Sequence, residues 1–316
     1  MLSVLRRYGT LVGFAVILVV FWVNLPDTFM TARNWLNITQ QVSMLTVVAA
    51  GMTIVMVMGD FDLSVGSMAS LAGIVAAILF TQGYPVWEAV GIALLIGVAG
   101  GAFNGALVSL IGILPFVATL ATLTMFSGAA FVISGGKTIS GRAIPDAFGN
   151  FAREGLALGP VTIPNLTIVA LVTVVVVWAL LEQTTFGRRL YAIGGNIQAA
   201  YLSGVAVRRL KLIAFALTGF TASLAGLMYA SRVASANPTQ GSGLMLNAIA
   251  AVFLGMTMSE GGEARILATV AGVLILGVLD NGLTQMSVDS YIRQILVGGI
   301  IVLAVAASSL SNRSLR

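Results

Sequence analysis

Long apolar runs separated by short polar segments extend over most of the chain. Most runs are about 18–25 residues long, the length that a helix needs to cross a bilayer core of about 30 Å, whereas barrel strands are shorter and alternate in polarity. The pattern predicts an all-α polytopic membrane protein with about ten transmembrane helices. The eighth run is short, so nine or eleven crossings remain alternatives. The predicted spans are 9–27, 40–59, 64–82, 88–112, 115–134, 163–182, 211–231, 244–258, 265–286 and 290–309.

Lysine and arginine residues are distributed unequally between the two sides of these spans. With the N-terminus inside, ten lie on the inner side and five on the outer side, and an excess of basic residues marks the cytoplasmic side. Both termini and the loop 183–210 are therefore expected in the cytoplasm. The loop 135–162, rich in Gly, Pro and Ser, is expected outside as a non-helical surface segment. No connection is long enough to fold by itself, so residues 1–316 are interpreted as a single transmembrane domain.

The composition agrees with a membrane protein and narrows the possible chemistry. The 316 residues are 58% hydrophobic and 9% charged, with a mean hydropathy of +1.02, and a soluble domain carries much more charge. The absence of cysteine and histidine excludes thiol chemistry, Cys/His zinc sites and imidazole catalysis. No acid–base cluster lies within a span, so we do not expect an enzyme. Because the basic residues lie in loops, the pI near 10 does not indicate nucleic-acid binding.

Two carboxylates interrupt the apolar sequence between the second and third spans. Asp60 and Asp62 lie in the segment GDFDLSVGS, residues 59–67, and Ser64 follows them. Asp62 or Ser64 could cap the next helix by accepting hydrogen bonds from its free N–H groups. The segment could equally be a break that faces a translocation pathway, since irregular backbone at membrane depth is tolerated only there or inside protein.

Asn104 and Asn281 are further pathway candidates, because each places an amide within a predicted span. An amide in a span must be hydrogen-bonded, more often to a neighbouring helix than to a ligand. Asp280 precedes Asn281 near the outer end of the ninth span, and Arg293 is its expected charge partner.

Glycines recur at every fourth position of the fourth span, at Gly97, Gly101 and Gly105. This spacing lets two helices approach closely. We interpret it as a packing device that carries no information about a substrate.

The polar loop at 183–211 contains five basic residues and no acidic one. Gly194 and Gly195 are expected to break the chain before a short helix that begins near Asn196. Ala199 and Ala200 favour helix and give it a flat face, and Gly204 suits its end. Such a helix fits a cleft on a soluble partner. A helix that only rests on lipid would instead need a bulky apolar face, for which this segment offers little more than Ile197, Tyr201 and Leu202.

Several of these segments together resemble the permease subunits of bacterial ATP-binding-cassette (ABC) importers for monosaccharides, the ribose, arabinose and xylose branch. They are GDFDLSVGS, the TLATLT of 119–124, TTFGRRLYAIGGNIQAAYLSGV and the NGL of 281–283, and the GDFD variant is most similar to the arabinose-type permeases. The likeness covers nearly the whole chain. It departs from the family pattern at Glu263 and Ala264, where relatives tend to carry another glycine.

The resemblance implies a permease domain in the bacterial inner membrane that works with other subunits. A separate ABC ATPase would bind ATP and Mg²⁺, so this chain would hold no cofactor. A periplasmic sugar-binding protein would deliver the substrate, and a second permease chain, identical or different, would complete the membrane unit. The segment 196–204 matches the loop that enters a cleft on the ATPase, which gives Gly195, Asn196, Ala199, Ala200 and Gly204 the role of ATPase coupling.

Other functions remain open at the level of sequence. Related permeases carry autoinducer-2, nucleosides or branched-chain amino acids. A secondary transporter driven by an ion gradient would need carboxylates near the bilayer midplane, whereas Asp60, Asp62 and Asp280 fall near the ends of the predicted spans.

Overall fold

Helices build almost all of the computed structural model, which describes residues 2–159, 161–296, 298, 299 and 302. The helices are α1 (Leu2–Asn24), α2 (Ala32–Met56), α3 (Val65–Thr81), α4 (Val86–Ala106), α5 (Pro115–Ser134), α6 (Asp146–Arg153), α7 (Asn165–Trp178), α8 (Thr185–Gly195), α9 (Ile197–Leu202), α10 (Val207–Val233), α11 (Leu244–Met258) and α12 (Ile266–Gln285). Wider π-helical turns, Leu107–Ile111 and Ala179–Gln183, continue α4 and α7. Residues 290–296 are also helical.

Six helices in the described residues are long and apolar enough to cross a membrane, namely α2, α4 and α7 with their π-helical turns, α5, α10 and α12. Shorter apolar helices occupy Val12–Asn24, α3 and α11. The first nine predicted spans each coincide with a helix, and the fifth and eighth agree at both ends. Most of the tenth predicted span, 290–309, lies outside the described residues.

Helix α10 lies at the centre of the fold and packs against α2, α3 and α4. Its contact with α4 occurs along the predicted glycine row. A Cβ atom at Gly101 would lie 3.0 Å from the Cα atoms of Ala216 and Gly219, so the helices cross with backbone against backbone. The prediction that these glycines serve packing is confirmed.

The expectation that 135–162 is non-helical is wrong, because the segment contains α6 and short strands. Pro145 precedes the helix, Asp146 occupies its first turn, and Phe148 and Ala152 are buried. The Phe148 ring packs 5.0 Å from that of Phe80. The Gly and Pro residues mark the ends of these elements, and the apolar side of the eight-residue helix stabilises it against the bundle.

The strands are short antiparallel pairs beside α6. Strand β1 (Ile139–Ser140) pairs with β4 (Ser235–Ala236), which follows α10. Strands β2 (Gly155–Leu158) and β3 (Val161–Pro164) pair from Gly155 with Pro164 to Leu158 with Val161. The first pair connects the segment to the C-terminal end of α10, and the second leads into the N-terminal end of α7.

Candidate functional site

The connection between α2 and α3 is held by a buried carboxylate. The backbone N–H of Ser64 donates to Asp62 Oδ1 at 2.9 Å, and its hydroxyl donates to the same oxygen at 2.6 Å. Gly59 enables the turn with a φ of +79°. Asp62 thus holds the residue that precedes α3, but neither its side chain nor that of Ser64 accepts a hydrogen bond from the first turn of α3, which begins at Val65, so the capping interpretation is wrong.

Asn104 from α4 completes this cluster. Its Nδ2 group donates to Ser64 Oγ at 2.8 Å and lies 3.4 Å from each carboxylate oxygen of Asp62. All three side chains are buried, and Asn104 Oδ1 has no hydrogen-bond partner among the described residues. The structure therefore brings together Asp62, Ser64 and Asn104, and the amide is bonded to a neighbouring segment, as expected.

Asp60 in the same connection forms an ion pair that the sequence did not reveal. Lys211 Nζ lies 3.0 Å from Oδ1 and 2.7 Å from Oδ2 of Asp60. Burial raises the pKa of Asp60 above its ordinary value, and the Lys211 ammonium opposes that rise. The pair joins the α2–α3 connection to the first turns of α10. The two residues are 151 positions apart, so no local pattern signals their contact.

The remaining pathway candidate, Asn281, belongs to a different group of polar residues. Its Oδ1 accepts a hydrogen bond from Gln285 Nε2 at 2.8 Å. In the adjacent pair, Arg293 lies 2.7 Å from Asp280 Oδ1, and Gln41 Nε2 donates to Oδ2 at 2.8 Å. The predicted partnership of Asp280 with Arg293 is confirmed. Within the described residues, no hydrogen bond joins Asn281 to the cluster around Asp62.

The polar loop 183–211 contains the helices α8 and α9 and the first turns of α10, whereas the sequence predicted one short helix in it. The predicted short helix is α9, and Asn196 caps it by accepting from the N–H groups of Gln198 at 3.0 Å and Ala199 at 2.9 Å. Gly204 ends the following turn with a φ of +81°. These features fit Asn196 and Gly204 as the start and end of a separate short helix.

The expected break before α9 is confirmed, since α8 ends at Gly195 and α9 begins at Ile197, but Gly194 itself lies within α8. A Cβ atom at Gly194 would lie 3.1 Å from the carbonyl carbon of Val57, at the end of α2. Glycine is therefore needed here for close packing of α8, and α8 stays helical because its buried Leu190 and Ile193 lie against the core.

The predicted coupling residues differ in their exposure to solvent. Gly195, Asn196, Ala199 and Gly204 are exposed, whereas Ala200 is buried within this chain. Ala199 and Ala200 therefore do not form one flat outer face, and that expectation is wrong. Instead Ile197, Tyr201 and Leu202 project outward, with 49%, 69% and 78% of their surfaces exposed.

A phenol links α8 to the connection between α11 and α12, and the sequence did not indicate this link. The Tyr191 hydroxyl lies 3.1 Å from Glu182 Oε1 and 3.2 Å from the carbonyl oxygen of Ala264. Arg265 lies 3.8 Å from Glu182 and 3.6 Å from Glu263. Burial and the Glu182 carboxylate raise the pKa of Tyr191 above its ordinary value. Glu263 and Ala264, the residues that depart from the family pattern, lie in this contact.

Comparison with known proteins finds relatives over nearly the full length of the chain. Residues 34–305 match the family model described as branched-chain amino acid transport system / permease component. The ribose import permease protein RbsC of Bacillus subtilis is 39% identical over 303 residues, which cover 96% of this chain and 92% of that protein. No solved structure matches significantly.

Two Escherichia coli K12 proteins extend the comparison. The ribose import permease protein RbsC is 40% identical over 294 residues, covering 92% of this chain and 89% of that protein. The L-arabinose transport system permease protein AraH is 34% identical over 301 residues, covering 94% of this chain and 88% of that protein.

Proposed function

Since the chain belongs to the branched-chain amino acid transport system / permease component family and its relatives import sugars, we propose that it is the permease subunit of an ABC importer for a monosaccharide. The observation that carries this function is the 39% identity to a ribose import permease over nearly the full length of both proteins. The chain is a multi-pass protein of the inner membrane, and its relatives are transport permeases, not enzymes.

The topology that we propose has ten spans and both termini in the cytoplasm, with residues 1–316 forming one permease domain. Support comes from the ten-to-five distribution of basic residues. It also comes from Asp60 and Lys211, which this topology assigns to the same side and which are in contact. Helix α6 and the strands β2 and β3 then lie outside.

The loop 183–210 is proposed as the cytoplasmic coupling loop that contacts a separate ABC ATPase. Gly195, Asn196, Ala199, Ala200 and Gly204 define its short helix α9, with Ala200 anchoring the helix to this chain and the others facing the partner. The ATPase would hold ATP and Mg²⁺, and this chain would bind no cofactor. The support is the protrusion of α9, whose apolar side chains are exposed, because a convex helix fits a groove.

We propose that the translocation pathway lies at the boundary with a second permease chain and runs along the segments that carry five polar residues. They are Asp60, Asp62, Ser64, Asn104 and Asn281. Asn104 would position the α2–α3 connection through Ser64. ATP-driven closure of the ATPases would move α9 and switch the access of the pathway between two states. A periplasmic sugar-binding protein would deliver the substrate from outside.

The substrate that we propose is ribose or a similar pentose, because the relatives named as ribose import permeases are 38–40% identical to this chain, whereas those named for allose, galactose and L-arabinose are 34–35% identical. The test is ATP hydrolysis by the permease with its ATPase and binding protein in nanodiscs, with ribose, arabinose, xylose, allose and galactose offered in turn. We expect one pentose to stimulate hydrolysis most. Stimulation only by allose or galactose would overturn the pentose assignment, and the absence of stimulation by all five sugars would overturn the sugar assignment.

A further inference from the structure

The α10–α11 connection, residues 237–243, consists of successive turns that are fixed to the helix bundle on one side. The backbone N–H of Gly241 donates to Ser70 Oγ in α3 at 2.9 Å. The Gln240 side chain donates through Nε2 to the carbonyl oxygen of Gly226 in α10 at 3.2 Å. The connection therefore packs against two helices at defined positions along them.

These positions place the connection below the outer surface of the membrane in the proposed topology. Ser70 lies eleven residues before the end of α3, or about 16 Å, and Gly226 lies seven residues before the end of α10, or about 10 Å. The exposed rings of Tyr84 and Trp87, just after α3, mark the membrane interface. Helix α11 has fifteen residues and spans about 22 Å, less than the bilayer core of about 30 Å, so it begins within the core.

One side of the connection is polar and exposed at this depth. Pro238 and Gly241 are buried against the bundle, whereas Thr239, Ser242 and Gly243 are exposed. Irregular backbone at membrane depth does not face lipid, and it is tolerated only inside protein or beside a water-filled cavity. The exposed side therefore requires water or a polar solute next to it.

Asn247 in the first turn of α11 gives a second indication of such a cavity. It is half-exposed, and its Nδ2 lies 4.0 Å from the position of a Cβ atom at the exposed Gly243. Among the residues that the structure describes, neither the Asn247 amide nor the Ser242 hydroxyl takes part in a side-chain hydrogen bond. Polar groups within a membrane that lack a partner in the protein face a water-filled cavity.

The α10–α11 connection also adjoins the buried cluster around Asp62. A Cβ atom at Gly241 would lie 3.0 Å from the carbonyl carbon of Gly66, which follows Ser64 by two residues. A Cβ atom at Gly66 would lie 3.6 Å from the Cβ atom of Met245. The first turns of α3 and α11 are thus in contact, and the exposed polar surface is continuous with the segment that carries the proposed pathway residues.

We propose that the α10–α11 connection and the first turn of α11 line the outer half of the sugar pathway, where Ser242 and Asn247 form hydrogen bonds with sugar hydroxyls. This inference rests on the proposed function and adds a region to the pathway that is distant in sequence from Asp62. A serine hydroxyl both donates and accepts, and an amide presents donors and an acceptor together. Both groups therefore suit the neutral polyhydroxyl surface of a monosaccharide.

The test uses single cysteines, because the chain has no native one. Ser242→Cys and Asn247→Cys are the test variants. Val175→Cys, on the exposed apolar side of α7, and Arg142→Cys, in the outer segment, are the controls. Modification by a charged, membrane-impermeant methanethiosulfonate is measured by mass in nanodiscs that contain the permease and its ATPase. Nucleotide-free and vanadate-trapped complexes are both treated, so that both access states are sampled.

Uptake of radiolabelled ribose is then measured in right-side-out vesicles, with the binding protein outside and ATP enclosed, before and after treatment with the same reagent. We expect Ser242→Cys and Asn247→Cys to react about 10-fold or more faster than Val175→Cys in one of the two states, because the reactive thiolate forms in water and not in lipid. Modification of these two variants should abolish their ribose uptake, whereas Arg142→Cys should react and keep its uptake.

The inference would be overturned if both test cysteines stayed as unreactive as Val175→Cys in both states. It would also be overturned if they reacted without any loss of uptake, because the connection would then face the outer solution and not the pathway. The importer assignment fails separately, if native vesicles with enclosed ATP take up none of the sugars offered. The modification rates would still decide whether the connection faces a water-filled path.

Discussion

Lys211 Nζ lies 2.7 Å from Oδ2 of Asp60, and this pair connects the turn before α3 to the helix that follows α9. Both side chains are about nine-tenths buried. A movement of α9 that shifted the start of α10 would therefore act on the α2–α3 connection through a direct ionic contact. The pair thus links the helix that follows the proposed coupling helix to Asp60, one of the proposed pathway residues.

Replacing Lys211 with Met should destabilise the protein strongly, because Asp60 would remain buried without a cation. Removing one partner of a fully buried pair costs about 3–5 kcal/mol, and the residual exposure of this pair places the expected loss toward the lower value. Thermal unfolding in detergent measures the loss. The double variant K211M/D60N should recover much of the stability, and K137M, which removes an exposed lysine, should change little. Equal stability of K211M and the native protein would show that the ion pair contributes nothing.

Gly101→Leu should destabilise the contact between α4 and α10, because its side chain would meet the backbone of α10 at Ala216 and Gly219. Overpacking of this kind costs about 1–3 kcal/mol or more. Gly91 on the same helix has open space at the Cβ position and provides the control, since Gly91→Leu should be tolerated. A similar melting temperature for both variants would contradict the close crossing of the two helices.

Asn104→Ala should reduce stability and transport in parallel, because the buried Ser64 hydroxyl and the Asp62 carboxylate lose their shared donor. An unsatisfied buried partner costs about 1–3 kcal/mol. Asn281→Ala serves as the comparison, since Asn281 is bonded only to Gln285 within the described hydrogen bonds. If Asn104→Ala slowed transport while the melting temperature stayed native, the residue would contact the substrate and would not simply position the α2–α3 connection.

Tyr191 should remain protonated at a pH where an exposed tyrosine ionises, because burial and Glu182 raise its pKa. The folded state then binds a proton that the unfolded state releases, so this group's contribution to stability is present below pH about 10 and is lost at higher pH. Ultraviolet titration of phenolate absorbance, with Tyr191→Phe as the reference and Tyr84→Phe as the exposed control, measures the effect. A Tyr191 titration near pH 10 would contradict the buried contact with Ala264.

The sequence predicted the features that depend on one segment at a time. The apolar runs gave nine of the helices, because each run must bury its own backbone hydrogen bonds in a helix. The glycine pair indicated that a short helix begins near Asn196, and the glycine row of α4 indicated close packing. The contacts of Lys211 with Asp60 and of Tyr191 with Ala264 join distant segments, and no local pattern specifies which distant partners will meet.

The predictions from sequence that the structure contradicts also failed for physical reasons. Helix α6 is only eight residues long, and its stability comes from packing Phe148 against Phe80, which a short window of sequence does not reveal. Gly194 was expected in the break before α9, but it lies in the last turn of α8, where the carbonyl group of Val57 occupies the space of a side chain. Ala200 was assigned to an outer face because the sequence did not show which side of α9 meets the protein.

The most direct test of the central claim is uptake of radiolabelled ribose into proteoliposomes that contain the permease and its ATPase, with the binding protein supplied on the side opposite the ATPase. The account predicts uptake that requires ATP on the ATPase side, persists when ionophores remove proton and sodium gradients, and is abolished when Gly204, at φ +81°, is replaced by Val. Uptake that continues without ATP and disappears with the ion gradient would contradict it and identify a secondary transporter.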